Sequence, residues 1–230
     1  MGRRTRRGHS RGAYPTSRCL ALNGVDEYAH AATVGAALTG LTTPSSFVAW
    51  VSTSDTDGHI VSAGDDPTNL SDRALAVVGS VAQASWTKDP GTGSPNCTGT
   101  TAVDDAGWHH LAQTWDGTTL RVYVDGVEED NATPTAGDQT LTDLEIGRRV
   151  RASSLYLAGS VAEVLVFNRG LTAAEVAALY GGGHWRDPRP LRPRDAFVVA
   201  AGDTMIDLGW ARAALTLVND PTVTAGGPNG

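Results

Sequence analysis

The sequence predicts an all-β protein: a two-sheet antiparallel β-sandwich or jelly roll with one short helix and extended terminal arms. Three observations lead there. Apolar residues recur at every second position in short segments, the period of a strand with one buried face. Turn-forming residues separate these segments at intervals of about 8–12 residues, and the 230-residue chain holds 27 glycines. One stretch, 173–180, carries a helix start signal and a stop signal.

The clearest element is WHHLAQTWDGTTLRVYVDG, residues 108–126. Leu120, Val122 and Val124 alternate with Arg121, Tyr123 and Asp125. Asp116-Gly117 and Asp125-Gly126 mark tight turns, because Gly accepts positive φ and Asp bonds its own backbone. A hairpin cannot bury an apolar face alone, so the rest of the chain must supply a partner sheet.

In chain order, Leu20 and Leu22 alternate into the turn Asn23-Gly24, with Tyr28 on the returning strand. Residues 47–51, after Pro44, form an apolar run suited to a strand buried on both faces. Residues 59–63 end at Gly64, and strands 73–78 and 81–86 part at Gly79. Residues 88–100, with Pro90, Gly91, Gly93, Pro95 and Gly99, read as a long loop. Residues 128–137 are polar and carry Pro134; 144–147 is a strand and 155–158 a further short one. Residues 159–167 are the strongest late strand. Strict alternation there places Val161, Glu163, Leu165 and Phe167 on one face and Ala162, Val164 and Val166 on the other. The helix follows, with Thr172 as N-cap, Glu175 completing a capping box and Gly181-Gly182-Gly183 stopping it.

Charge divides the chain into a basic arm (1–18), the sandwich (19–183) and a Pro/Arg strap with C-terminal extension (184–230). Residues 1–18 hold six arginines and no acid; residues 19–180 hold seven basic and twenty acidic side chains, a net −13. An acidic body with a basic arm suits contact between the arm and an acidic surface. The strap interleaves Pro188, Pro190 and Pro193 with Arg186, Arg189, Arg192 and Arg194, a composition that favours extended backbone. Short strand-like pieces follow at 197–200, 204–208 and 214–218, and the glycine-rich end, 224–230, reads as unstructured. About fifty residues are too few for a second ordinary core, so this extension is expected along the sandwich or on a neighbour. No apolar run follows the basic N-terminus, as a secretory signal needs, and no stretch approaches the ~20 apolar residues of a membrane span. The two cysteines, Cys19 and Cys97, fit either a single bridge or two free thiols, and neither a disulfide framework nor a zinc site.

The motifs Trp108-His109-His110, Trp115-Asp116-Gly117, Tyr123-Val124-Asp125-Gly126 and Asn168-Arg169-Gly170-Leu171-Thr172-Ala173-Ala174-Glu175 occur in that order. With Cys19-Leu20 and Asn23-Gly24-Val25-Asp26-Glu27-Tyr28, they make residues 18–181 resemble the laminin-G-like branch of the concanavalin A-like lectin/glucanase superfamily. Gly170 stands where that branch usually has Ala. The resemblance implies a binding sandwich for glycans or proteins. It also implies calcium in some members, held by an Asp in the opening turn and another on the final strand. Asp26 matches the first position; Ala162 stands at the second. Ca²⁺ wants six to eight oxygens, so the expectation is no cofactor, with calcium at Asp26 as the alternative. Asp55/Asp57, Asp65-Asp66 and Asp104-Asp105 read as solvated turns.

No catalytic pattern is present. The superfamily's hydrolases carry Glu-x-Asp-x-x-Glu on a strand, and Asp143-Leu144-Glu145 lacks the third acid and the order. His109 and His110 read as structural, and no G-x-S-x-G motif occurs. Trp50, Trp108 and Trp115 are expected in the core. Trp86, Tyr156 and Trp185 are the candidate sugar-stacking aromatics. Arg3, Arg4, Arg6, Arg7, Arg11, Arg186, Arg189, Arg192 and Arg194 are the candidate assembly contacts. An arm without interleaved aromatics beside an acidic body argues against nucleic acid. Two functions fit. One is a non-catalytic virion-surface protein of phage type, made in the cytoplasm, joined to its own copies or other subunits and able to touch glycans. The other is a stand-alone lectin-like module of a bacterial surface protein.

Overall fold

The structure, a computed structural model, describes residues 18–32, 38–40, 43–65, 71–87, 96–134, 140–150 and 154–181, together with strands at 196–199, 205–207, 212–214, 216–218 and 222–225. The basic arm up to residue 17 and the strap at 184–195, with all nine candidate assembly arginines and Trp185, lie outside these residues.

Two antiparallel sheets face each other. The first joins β1 (Arg18–Asn23), β3 (Ser45–Thr53), β8 (Trp108–Trp115), β9 (Leu120–Val124), β10 (Val127–Ala132), β12 (Ala158–Phe167) and β17 (Thr222–Ala225) in the order β10-β9-β8-β3-β12-β1-β17; β13 (Ala196–Val199) pairs beside the second half of β12. The second joins β2 (Tyr28–Ala31), β4 (Asp57–Gly64), β5 (Asp72–Val78), β6 (Val81–Thr87), β7 (Asn96–Ala102), β11 (Asp143–Ile146) and β16 (Thr216–Val218) in the order β16-β2-β11-β4-β5-β6-β7. β14 (Met205–Asp207) and β15 (Arg212–Ala214) pair with each other.

The core lies between the sheets. Leu120, Val122 and Val124 enter it from β9, and Leu75, Val77 and Trp86 meet them from the other sheet. Here the predicted alternation holds, and Asp125 and Gly126 turn the chain with φ of 49° and 82°. A second cluster sits on the outer face of the first sheet. Val48, Ala112, Tyr123, Leu165 and Phe167 are covered there by Leu171 and by Val176 and Leu179 of α1 (Ala173–Tyr180). Thr172 and Glu175 form the predicted capping box. Ser46 ties the lead-in to β3, accepting from the Leu171 N–H and donating to the Arg169 carbonyl.

Several local expectations are corrected. Asn23-Gly24 does not close a hairpin: β1 and β2 lie in different sheets. The Asn23 side chain accepts from the N–H groups of Val25, Asp26 and Glu27, which shapes a wider corner that carries the chain across. The expected loop at 88–100 contains the start of β7, and the polar stretch after 126 contains β10. Both are edge strands, with little apolar alternation to betray them. Residues 155–157 are not a strand. In β12 the alternation breaks at a bulge between Ala162 and Leu165, where Glu163 has φ of 49°. Val161, Val164 and Val166 therefore share the inner core while Leu165 and Phe167 face the helix. Trp115 is buried as expected, but Trp50 and Trp108 are partly exposed. Trp50 packs on the outer face against His110 and Tyr180, with ring centroids 5.3 and 5.7 Å away. Cys19 and Cys97 are both buried, and no disulfide joins them. Thr224 and Ala225, the first residues of the expected unstructured end, pair with β1 as part of Thr222–Ala225.

Candidate functional site

On the outer face of the second sheet, alternation sends Ala29, Ala31, Leu144 and Ile146 into the core. Tyr28, His30 and Glu145 therefore face outward, and register sets Glu145 beside His30 on β2 and Ser62 on β4. Gly147, with φ of 92°, then turns the chain back over the sheet. The loop is pinned by Gly147 N–H to the Ile60 carbonyl at 3.0 Å, Leu157 N–H to the Gly147 carbonyl at 2.9 Å and His59 N–H to the Leu155 carbonyl at 3.0 Å.

That loop delivers Arg148 and Tyr156. Arg148 grips Glu145 with two prongs: Nε donates to Oε2 at 2.5 Å and Nη2 to Oε1 at 2.6 Å. His30 Nδ1 lies 3.1 Å from the same Oε1. The Arg148 guanidinium stacks 3.8 Å from the Tyr28 ring centroid, and its Nη1 reaches the Tyr156 hydroxyl at 3.5 Å. The Tyr28 and Tyr156 rings meet edge to face, centroids 6.2 Å apart. Burial opposes the Arg148 charge, but the bonds to Glu145 and Tyr156 outweigh it and hold its pKa above the ordinary range. Burial likewise lifts the Tyr28 phenol, against the lowering pull of Arg148. Glu145 is 1% exposed, whereas Tyr28, His30 and Tyr156 are partly open. A second ion pair, Arg149 Nε to Asp72 Oδ2 at 2.5 Å, lies alongside.

Two phenol rings offer apolar faces and hydroxyls, and Arg148 and His30 offer directed N–H groups, a set suited to a polyhydroxylated ligand. Both oxygens of Glu145 are already engaged by Arg148.

Of the sequence-predicted aromatics, Tyr156 belongs to this cluster. Trp86 is a correction: it is 0% exposed in the core, with the Arg73 guanidinium 3.9 Å above its ring and Trp115 4.5 Å away. Its apolar surface is consumed by core packing, leaving none for a sugar. Tyr28, His30, Glu145 and Arg148 were not singled out from sequence. The available signal was the alternation of Tyr28 and His30 with Ala29 and Ala31.

Asp26 sits in the corner, where its Oδ1 accepts from the Asn23 amide at 2.9 Å. Asn23 pairs with Ala158, and Ala162 lies four residues further along β12, roughly 13 Å at the strand rise. Ala162 is buried and brings no side-chain oxygen. These residues do not fit calcium in that position. Of the acidic pairs, Asp55/Asp57 serves the backbone, Asp65 accepts from the Thr142 hydroxyl, and Asp66 lies outside the described residues. Asp55 accepts from the N–H groups of Asp57 and Ala158, and Asp57 from Gly79. Among the described residues, no three His, Cys, Asp or Glu side chains converge as a metal group would need. His109 bridges Asp105 at 3.2 Å and Asp125 at 3.0 Å. The Gly107 N–H, with His109, holds the Asp105 carboxyl below its usual range. These bonds lock two turns together. No described helix is long and apolar enough to cross a membrane.

The comparisons agree with the topology. The Laminin_G_3 family model, of the concanavalin A-like lectin/glucanases superfamily, matches residues 23–177. Among solved structures, the Ruminococcus gnavus IT-sialidase CBM40 bound to α2,3-sialyllactose aligns with a TM-score of 0.57 at 14% identity, covering 71% of this chain and 98% of that one. The native heptameric SAP-like pentraxin of Limulus polyphemus aligns at 0.56 and 11% identity, covering 72% and 82%. Mouse laminin alpha1 domains LG4-5 align at 0.53 and 13% identity, covering 73% and 46%. No curated protein matches the sequence. With a family model matching two thirds of its length and the sandwich topology in place, the chain belongs to the laminin-G-like branch of the concanavalin A-like lectin/glucanases superfamily.

Proposed function

We propose that this protein is a non-catalytic glycan-binding β-sandwich and a structural component of a larger particle, a capsid-decoration or adhesion protein on a phage-type virion. The observation that carries the binding reading is the Tyr28–Arg148–Tyr156 cluster, braced from below by Glu145. The bracing fixes the guanidinium in advance, so little rotamer freedom is lost when a ligand arrives. The non-catalytic reading is supported by Glu145 itself, whose carboxylate is spent on Arg148. The assembly reading is supported by the charge division: basic residues at both ends and a body of net −13. Copies of such a chain attract one another end to body, and that attraction is screened within about 8 Å at physiological salt.

A glycan array with the full chain tests the binding reading. Wild type is expected to bind a subset of glycans. Tyr156→Ala is expected to lose at least tenfold in affinity with an unchanged unfolding midpoint. Absence of any bound glycan, or wild-type affinity in Tyr156→Ala, overturns it. Copurification with particles, and release by salt below the concentration that unfolds the sandwich, tests the assembly reading. A second reading, a stand-alone lectin-like module of a bacterial surface protein, is favoured by the near-complete coverage of the CBM40 chain. Glycan binding without particle association would select it.

A further inference from the structure

The two open sides of the sandwich are closed by different means. On one side the sheets end in β7 and β10, and the closure is made by side chains. Asp130 Oδ2 accepts from the Thr98 N–H at 2.8 Å. Glu129 Oε2 accepts from the Thr100 and Thr101 N–H groups at 2.7 and 3.1 Å, and its Oε1 from the Thr101 hydroxyl at 2.5 Å. Gly99 admits Glu129 there, since a Cβ would lie 2.6 Å from its Oε2. Donors that an added strand would need are taken, as protected edges require.

On the other side, the strands next to the last in each sheet are β1 and β2. They are covered by main chain: β17 pairs with β1 and β16 with β2. Both covering strands lie beyond residue 177, where the family match ends. They are three and four residues long, and one stretch, 216–225, supplies a strand to each sheet. It follows the strap, with its three prolines and four arginines. Pro-rich tethers favour extended backbone and act as spacers.

We propose that the strands after the strap are exchanged between two copies of the chain, β13, β16 and β17 of one pairing with β12, β2 and β1 of the other. The occupant is a second copy for two reasons. The same strands and the same edges exist in every copy, so exchange keeps all main-chain hydrogen bonds and is a low-cost route to a dimer. The strap is also basic and the body acidic, so a strap passing between copies gains attraction from the second body. This deepens the assembly reading above, naming the partner and the edge.

Native Cys19 stands directly opposite Thr224 in the β1–β17 register. Directly opposed antiparallel residues have Cα atoms about 4.5–5.5 Å apart, within the span a disulfide bridges. Thr224→Cys in the full chain, exposed to oxidised glutathione, therefore reports which copy donates the strand. The expected result is a disulfide-linked dimer on a non-reducing gel, its fraction rising several-fold when protein concentration is raised about tenfold. A link formed only within one chain overturns the exchange. So does an absent covalent dimer together with monomeric light scattering of wild type at every concentration. Glycan binding measured on the same sample keeps the readings apart: a glycan-binding monomer sinks the exchange alone. Incorporation into particles as a monomer leaves the assembly reading standing without this interface.

Discussion

The Arg73 guanidinium lies 3.9 Å above the Trp86 ring, inside the sandwich and out of contact with solvent. Its Nη1 donates to the Thr43 carbonyl at 3.1 Å and to Ser45 Oγ at 2.7 Å, and its Nη2 to the Gly40 carbonyl at 3.2 Å. A buried cation has a large desolvation cost, offset here by these acceptors and the indole face. Arg73→Ala is expected to lower stability by about 3–5 kcal/mol. Arg73→Lys should recover less than half, because one ammonium cannot span acceptors set out for a fork. Urea unfolding of both variants checks this.

Acid should weaken the fold before its carboxylates titrate. Burial lowers the pKa of both His59 and His110 to about 4. The unfolded chain, at the ordinary histidine value of about 6.5, binds protons that the folded chain refuses. The stability is complete above about pH 6.5 and declines as pH falls toward 4, by on the order of 3 kcal/mol per histidine. Urea midpoints between pH 8 and 4.5 should show the decline. The His59→Gln/His110→Gln double variant should lose most of it.

Gly170→Ala should destabilise, although the family usually has alanine there. A Cβ at Gly170 would lie 2.9 Å from both Asp116 Cα and the Trp115 carbonyl oxygen, and backbone cannot swing aside. The expected cost is about 1–3 kcal/mol, read as a lower thermal midpoint.

Thr172→Ala removes the hydroxyl that accepts from the Glu175 N–H, with an expected cost of about 1 kcal/mol. Glu175 also takes two bonds from Arg169. A Thr172→Ala/Glu175→Ala cycle should therefore be non-additive by about 0.5 kcal/mol or more. Denaturant melts of the three variants supply the cycle.

Glu129→Ala should leave the core intact and make the protein associate. It frees the Thr100 and Thr101 N–H groups on an edge strand. Light scattering should show oligomers larger than any wild type forms at the same concentration.

The central hairpin and the helix were legible because each carries signals local in sequence: alternation closed by Asp-Gly turns, and a capping box. β7 and β10 were not legible, because strands at a sheet's edge need no apolar face throughout and theirs is largely polar. The corner after β1 misled because Asn-Gly usually closes a hairpin, while here three bonds to the Asn23 side chain widen it. Tyr156 could be picked out as a candidate exposed aromatic, although the sequence set it on a strand and the structure sets it off one. Its companions could not, since pairing of β2 with β11 joins residues more than a hundred positions apart. Trp86 misled because a stretch rich in Pro and Gly follows it in sequence, while its neighbours in space are Arg73 and Trp115.

The bulge at Glu163 lets one strand serve two interiors in succession. Before it, Val161 fills the space between the sheets; after it, Leu165 and Phe167 seat the helix. Losing a single residue there would turn the second half of β12 inside out, pressing Phe167 into space shaped for valine and leaving α1 without its bed. At this point the count of residues, more than their identity, is what inheritance has to preserve.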